Sequence, residues 1–523
     1  MDAGRARVPP DVRRAILRAF TRKRHLQLQS DAVQFVYETL EAHDLLREAE
    51  AMHEALEALA GALVDQHVTG GHAPGFDGHV VSRDALQKVY DQLLVEAADD
   101  QGTASGALTQ GSAPELAHFF RVIDAFSQPR LCFHGTRKVF EPEEGGSGLL
   151  ASARAPSAHH IERYELLRSI VLRNEHFLPA LTGPAAQRDA FLRLSTTKHL
   201  LGRQGAPCLL FGRLSTAPDG TYILEDTDGS VPLDLSRAVA GEGFFTEGAF
   251  VLIEGQYTAH ETLQVLALGH PPSEPRERAR ALTGHLDWHG TGAIPPKHVP
   301  GLRAQELQHP DVCIAVFSDV FLNEPVTLTR LRAILQGYEA AEFLPLALVL
   351  CGHFSSTPLE ADGALATYAE GFAQLGHLLA QCPRILAACH IVFVPGPHDP
   401  PSTGVLPRPR IAVPIAERLM VRLPPDAHVH WMSNPCRLVY YSQELVIFRD
   451  DLLRKMLRHT VRLREDLGAS DMPKFLVSTL LDQAHLCPLP PLVRPVLWDY
   501  AHALRLYPMP SAVRLTTDAA CAG

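Results

Sequence analysis

Apolar residues first recur at helical spacing. Val12, Ile16, Leu17 and Phe20 share one face, ringed by Arg13, Arg14, Arg18, Arg22, Lys23 and Arg24. Ser30 stands as an N-cap before Val33, Val36, Tyr37 and Leu40. Leu45, Met52, Leu56, Leu59 and Leu63 stripe a third segment; Ser82 opens a fourth with Leu86, Val89, Tyr90 and Leu93. Residues 1–97 are therefore expected to form a small helical domain. From Ala98 to Pro114 the chain is Gly, Ser, Thr, Ala, Asp and Gln, too poor in apolar residues to order itself, and Glu141 to Ala158 is similar. Between them lies the apolar run Phe119 to Phe126, ending in Gln128-Pro129-Arg130. Residues 98–158 thus read as a flexible tether carrying a docking segment, 115–140, on this chain or a partner.

Residues 159–200 read as a helical connector holding Tyr164, Leu167, Ile170, Val171 and Phe177. The period then changes to strands: Leu209–Leu214, Tyr222–Asp226, Val231–Leu235, Phe250–Tyr257 and Leu263–Leu268, with Asp228-Gly229 as a turn. Five short strands at this spacing fit a small Greek-key barrel of the OB type over residues 201–275. Residues 276–523 read as α/β. Strand-like runs at Val312–Phe317, Leu344–Leu350 and Ile391–Val394 alternate with helical patterns around Thr329–Tyr338 and Leu365–Ala380. A hairpin over Arg437–Phe448 and a helix over Asp450–Arg464 follow. The Pro-rich but apolar stretch 486–510 is expected to pack on the core.

Composition narrows the classes. A chain of 523 residues is long for one core. No apolar run reaches the roughly 20 residues of a membrane span, so no membrane partner is expected, and the N-terminus lacks a signal-peptide pattern. The 9 cysteines are scattered without a Cys-x-x-Cys pair, against a disulfide framework or structural zinc and for a reducing compartment. A net charge of −11 disfavours indiscriminate adhesion to nucleic acid. The basic first helix could still touch DNA or an acidic partner, or be a solvated face. No Gly-x-x-x-x-Gly-Lys-Ser/Thr string supports an ATPase.

Each of the three α/β strand runs feeds a loop where ligands sit in open sheets. These loops resemble those of two-metal phosphoesterases, which place Asp-x-His, Gly-Asp-x-x-Asp and Gly-Asn-His-Asp there and Gly-His-x-His later. Here they read Asp319-Val320-Phe321, Gly352-His353-Phe354-Ser355-Ser356 and Gly396-Pro397-His398-Asp399, with Ala484-His485-Leu486-Cys487 in the last position. Two ions roughly 3.5–4 Å apart need a bridging carboxylate. Neutral His353 stands in its place, Phe321 has no lone pair, Ser356 replaces a second carboxylate and Pro397 an amide. Asp319, His398, Asp399 and His485 remain, too few for a binuclear centre and equally able to cap turns. No catalytic residue, metal or cofactor is expected.

The combination of an OB barrel with a disarmed phosphoesterase resembles the B subunits of eukaryotic replicative DNA polymerases. The strings are similar to those of the DNA polymerase epsilon branch of that family. They include Ile123-Asp124-Ala125-Phe126, Leu224-Glu225-Asp226, Val231-Pro232-Leu233-Asp234-Leu235-Ser236 and Phe317-Ser318-Asp319-Val320. Ser433-Asn434-Pro435-Cys436-Arg437, Ile447-Phe448-Arg449-Asp450-Asp451-Leu452 and Ala503-Leu504-Arg505-Leu506-Tyr507-Pro508 extend them. The resemblance implies a multidomain α+β chain: an N-terminal helical domain like the lid of AAA+ ATPases, an OB-type β-barrel and an inactive calcineurin-like phosphoesterase α/β sandwich. It further implies a non-catalytic, nuclear accessory protein of the polymerase. Such a protein holds the zinc-containing C-terminal region of the catalytic subunit. Its helical domain joins the polymerase to the replicative helicase, and it contacts DNA indirectly or weakly.

A scaffold needs patches with apolar centres, for which Phe244, Phe245 and Phe354 are candidate anchors, although aromatics are mostly buried. Two other readings stay open. One is a metallophosphoesterase with a single ion on Asp319, His398, Asp399 and His485. The other is a barrel gripping single-stranded DNA through Phe211, Tyr222 and Tyr257, against the repulsion of Glu225, Asp226, Asp228, Asp234 and Glu254.

Overall fold

In a computed structural model the chain divides into two compact units, 1–111 and 112–523. The structure describes residues 9–22 and 27–42, scattered positions between 52 and 90, and 119–516 except 144, 179–190, 342, 402–403, 465 and 469–470.

In the first unit, Pro10–Leu17 and Ser30–Ala42 are α-helical and Arg18–Arg22 is a π turn. Ile16, Phe20, Val36, Leu40, Leu56 and Leu86 meet in one core, as their spacing predicts. Leu17, expected on that face, is instead exposed: it follows the buried Ile16 by one residue, about 100° round the helix. Two-residue strands at Gln27–Leu28, Phe76–Asp77 and Val80–Val81 add a small sheet that helical periodicity could not announce. Arg13, Arg14 and Arg18 are exposed. The side chain of Arg22, all of Lys23 and Arg24, and the Ala98–Pro114 stretch lie outside the described residues.

In the second unit the barrel strands are Pro207–Thr216, Tyr222–Glu225, Ser230–Asp234, Phe250–Tyr257 and Leu263–Gly269, with Val239–Ala240 beside the last. Ser230–Asp234 closes the sheet by pairing in parallel with Leu263–Gly269. Alternation decides the faces: Val251, Ile253 and Tyr257 fill the interior, while Phe250 points outward to the helix Ala155–Arg173. That helix lays the buried Arg163 guanidinium over the Phe250 ring at 5.0 Å.

The remainder is a stack of helices, two sheets and helices. One sheet is parallel: Ile314–Ser318, Ala347–Cys351, His390–Val394 and Val429–Trp431. Its two central strands are buried throughout, which explains their unbroken apolar runs. Leu348, Leu350, Ile391 and Phe393 face helices Pro325–Ala340, Ala364–Leu379 and Val413–Met420. Their neighbours Ala347, Val349, Val392 and Val394 face the second sheet. Each such Val, Leu, Ile or Phe contributes about 1.5–3 kcal/mol.

The second sheet orders Ala512–Thr516, Gln443–Arg449, Cys436–Tyr440 and Phe120–Asp124. The apolar island thus docks on its own chain. Phe120–Asp124 pairs antiparallel with Cys436–Tyr440, and Phe120 enters the core between the sheets. The rest of the docking segment runs into a hairpin, Leu131–His134 with Val139–Pro142. Residues 145–158, expected to be part of a tether, are largely exposed but held at points. Gly148 N–H donates to Asp499 at 3.0 Å, and the helix starts already at Ala155.

The three candidate aromatic anchors are a correction: Phe244 and Phe245 are 0% exposed and Phe354 is 1%. Adjacent side chains in extended backbone point opposite ways, so Phe245 enters the barrel and stacks on His270 at 4.4 Å. Phe244 enters the sandwich against Phe475. Phe354 packs between Phe372 and Phe393 under the parallel sheet.

Candidate functional site

Three loops at the C-terminal ends of adjacent parallel strands converge. The strand Ile314–Ser318 delivers Asp319, whose φ of 55° lies in the left-handed region that Asp tolerates. Ala347–Cys351 delivers His353, and His390–Val394 delivers His398 and Asp399. The His353 and His398 rings lie 4.5 Å apart.

Asp399 holds the loops together. It is 1% exposed and accepts from Phe354 N–H at 2.9 Å, Gly396 N–H at 2.7 Å and Tyr368 O–H at 3.1 Å. Burial raises its pKa to about 6, and those donors oppose the rise. Glycine is obligatory beside it: a Cβ on Gly352 would come within 1.7 Å of Asp399 Oδ2. A Cβ on Gly396 would meet the Gly352 carbonyl carbon at 2.8 Å.

The floor of the site comes from the other sheet. Arg449, at the end of Gln443–Arg449, is 1% exposed. Its Nη2 donates to Asp319 Oδ1 at 2.9 Å, its Nη1 to Asp451 Oδ1 at 2.6 Å and its Nε to the Gly352 carbonyl at 2.9 Å. Asn434 fixes it, donating to the Arg449 and Pro395 carbonyls and accepting from Arg449 N–H. Arg449, Asp451, Asn434 and Tyr368 were not singled out from the sequence; the first three appeared only within longer strings. They lie far along the chain from the loops they support.

Beside this cation, burial and then Arg449 and His398 lower the His353 pKa to about 4, so its ring is neutral near pH 7. His353 Nε2 has no hydrogen-bond partner. Among the described residues one group brings three metal donors together: His353, His398 and Asp451, within 4.8 Å of one another. Two imidazoles and one carboxylate could take a single borderline ion. They do not fit a two-ion centre, because no carboxylate bridges and Asp451 and Asp319 already answer a guanidinium.

The other expected positions are elsewhere or otherwise engaged. Phe321 is half-buried, and Pro397 is buried. Ser356 Oγ donates to Glu324 at 2.7 Å, outside the cluster. His485 and Cys487 do not join it. His485 is buried near His159, and its Nδ1 accepts from Cys487 N–H. Burial drives the Cys487 thiol to about 12. A His-x-Cys pair is too short a signal to place a loop.

Comparison with known proteins agrees with this architecture. Residues 153–272 match the family model "DNA polymerase epsilon subunit 2-like, OB-fold domain", and 314–520 match the family model of the DNA polymerase alpha/epsilon B subunits. The DNA polymerase epsilon B subunit of Schizosaccharomyces pombe is 36% identical over 413 residues, covering 76% of this chain and 69% of its own. That of Arabidopsis thaliana is 33% identical, covering 83% and 82%. DNA polymerase epsilon subunit 2 of Mus musculus is 31% identical over 510 residues, 96% of this chain and 90% of its own. With an OB barrel, a B-subunit domain and relatives matched over nearly the full length, the chain belongs to the DNA polymerase epsilon B-subunit family.

Proposed function

We propose that this protein is the non-catalytic accessory subunit of a nuclear DNA polymerase epsilon, built on a phosphoesterase scaffold that has exchanged metal ions for an internal cation. The observation that carries this reading is Arg449. A hydrolase of that type needs its loop carboxylates open to ions; here a buried guanidinium engages Asp319 and Asp451 and the Gly352 carbonyl. The loops are thereby fixed without metal, which suits a rigid docking body. Within that reading, barrel and sandwich together receive the zinc-containing C-terminal region of the catalytic subunit. The helical first unit, an AAA+ lid-like module, links to helicase components.

Co-purification tests it. Tagged full-length chain is expected to bring down a large polymerase subunit in equal amount. Removing residues 1–97 is expected to spare that subunit and weaken recovery of helicase components. Loss of the polymerase subunit on that deletion would count against this division.

A second reading, a single-ion phosphodiesterase, draws on the His353, His398 and Asp451 group. It requires one tightly held Mn²⁺ or Zn²⁺ per chain and hydrolysis of a generic phosphodiester that Asp451→Asn abolishes. Purified protein without stoichiometric metal and inert with added Mn²⁺ removes it.

A further inference from the structure

Far from the loop site, a cavity of about 300 Å³ opens between the edge of the second sheet and the segment joining barrel to sandwich. Its charge runs against that of the molecule. In a chain of net charge −11, five guanidinium groups, Arg121, Arg276, Arg280, Arg437 and Arg505, line it with one carboxylate, Glu444. Glu162 pairs with Arg505, and Glu306 bonds Ser442 and Gln443. With these two acids and Asp287, between the lining residues Leu286 and Trp288, included, one positive charge remains in excess. Leu131, Leu286, Trp288, Ile294 and Val439 supply apolar wall.

Unused polar atoms accompany the charge. Gln128 Nε2, His289 Nδ1, Arg437 Nε and His502 Nδ1 belong to lining residues, are buried and have no hydrogen-bond partner. The His502 tautomer follows from its other nitrogen. Nε2 sits 3.2 Å from the Gln128 carbonyl and must donate, which leaves Nδ1 a lone-pair acceptor. The cavity thus offers an acceptor as well as donors. The loop that walls it is also preformed. The Asp287 carboxylate gathers the N–H groups of His289, Gly290, Thr291 and Gly292, and Arg121 latches onto the Thr291 carbonyl at 2.7 Å.

We propose that this cavity binds a small organic anion with a flat, unsaturated body whose edge both donates and accepts hydrogen bonds, the chemistry of a nucleoside monophosphate. The guanidinium-lined side takes the anion, and the apolar wall takes the face of the ring. Gln128 Nε2 and His502 Nδ1, closed to solvent in the free protein, turn outward on binding to read its edge. Size sets the limit: ligand pockets span about 300–1,000 Å³, so this one suits a single nucleotide unit and not a polymer.

Isothermal titration of the full chain with nucleoside 5′-monophosphates, the free nucleosides and inorganic phosphate tests the proposal. One saturable site is expected for a monophosphate, about tenfold weaker for the nucleoside and for phosphate alone. Gln128→Leu and Ala293→Phe, which keeps every charge and fills the space, are each expected to weaken it about tenfold while Tm without ligand stays unchanged. Saturation-transfer NMR on the unaltered protein should show ring protons in contact, whatever the variants do. Absence of saturable binding, undiminished binding by both folded variants, or phosphate binding as tightly as the nucleotide would each overturn it.

Discussion

Arg449 is the residue on which the site turns. Removing one member of a buried charge cluster leaves the others uncompensated, at a cost of about 3–5 kcal/mol. Arg449→Met is therefore expected to lower unfolding free energy by that amount in urea titrations; a change within experimental error would deny the guanidinium its holding role. Asp399→Asn exchanges an acceptor for a donor facing Phe354 N–H or Gly396 N–H. It should cost about 1–3 kcal/mol, read the same way. Gly352→Ala should not accumulate as folded protein, since its Cβ would coincide with Asp399 Oδ2. The convergence of Asp319, His353, His398 and Asp399 was legible because each follows a strand of one parallel sheet, where neighbouring loops must meet. Arg449 and Asp451 were not legible, because they arrive from the opposite sheet and no local pattern records which sheets stack.

Among the elements, the barrel strands and the helices of the parallel sheet fall within a few residues of their expected places. Their alternation or helical period is long enough to read. The expected helix from Asp450 to Arg464 shortens to Leu452–His459, after which the backbone turns to let Val461 N–H donate to the Phe245 carbonyl. Val429–Trp431 and Ala512–Thr516 escaped notice because three to five residues carry little periodicity. Phe120–Asp124 was visible as an apolar run, but its partner strand lies some three hundred residues away. That strand closes one edge of the sandwich, so Phe120→Ala is expected to destabilise by about 3–5 kcal/mol, measured by urea unfolding. An effect under about 0.5 kcal/mol would make the strand an accessory flap.

Over the whole molecule, histidines held neutral by desolvation outnumber the groups that oppose them, Asp399 and Asp482. Burial raises the pKa of those two carboxyls to about 6, so they add stability as pH falls. Burial lowers His160 to about 3 and His270, His353, His390 and His502 to about 4, and holds His159 and His485 well below the usual value. In each case the unfolded chain binds the proton more readily. Stability is thus present above the ordinary histidine range and is lost as pH falls from about 6.5 towards 4, by up to roughly 1.4 kcal/mol per pH unit for each histidine. Urea midpoints are expected to drop steeply across that window; a flat profile would mean that these rings remain solvated. By itself the sequence determined the barrel and the α/β layer, because periodicity is a local property of a chain. Only the tertiary structure decided that the aromatic candidates are core, that the apolar island is a strand of the sandwich, and that Arg449 stands between Asp319 and Asp451. Those facts depend on which distant segments stack, and stacking is fixed by complementary surfaces that exist only once the elements have formed.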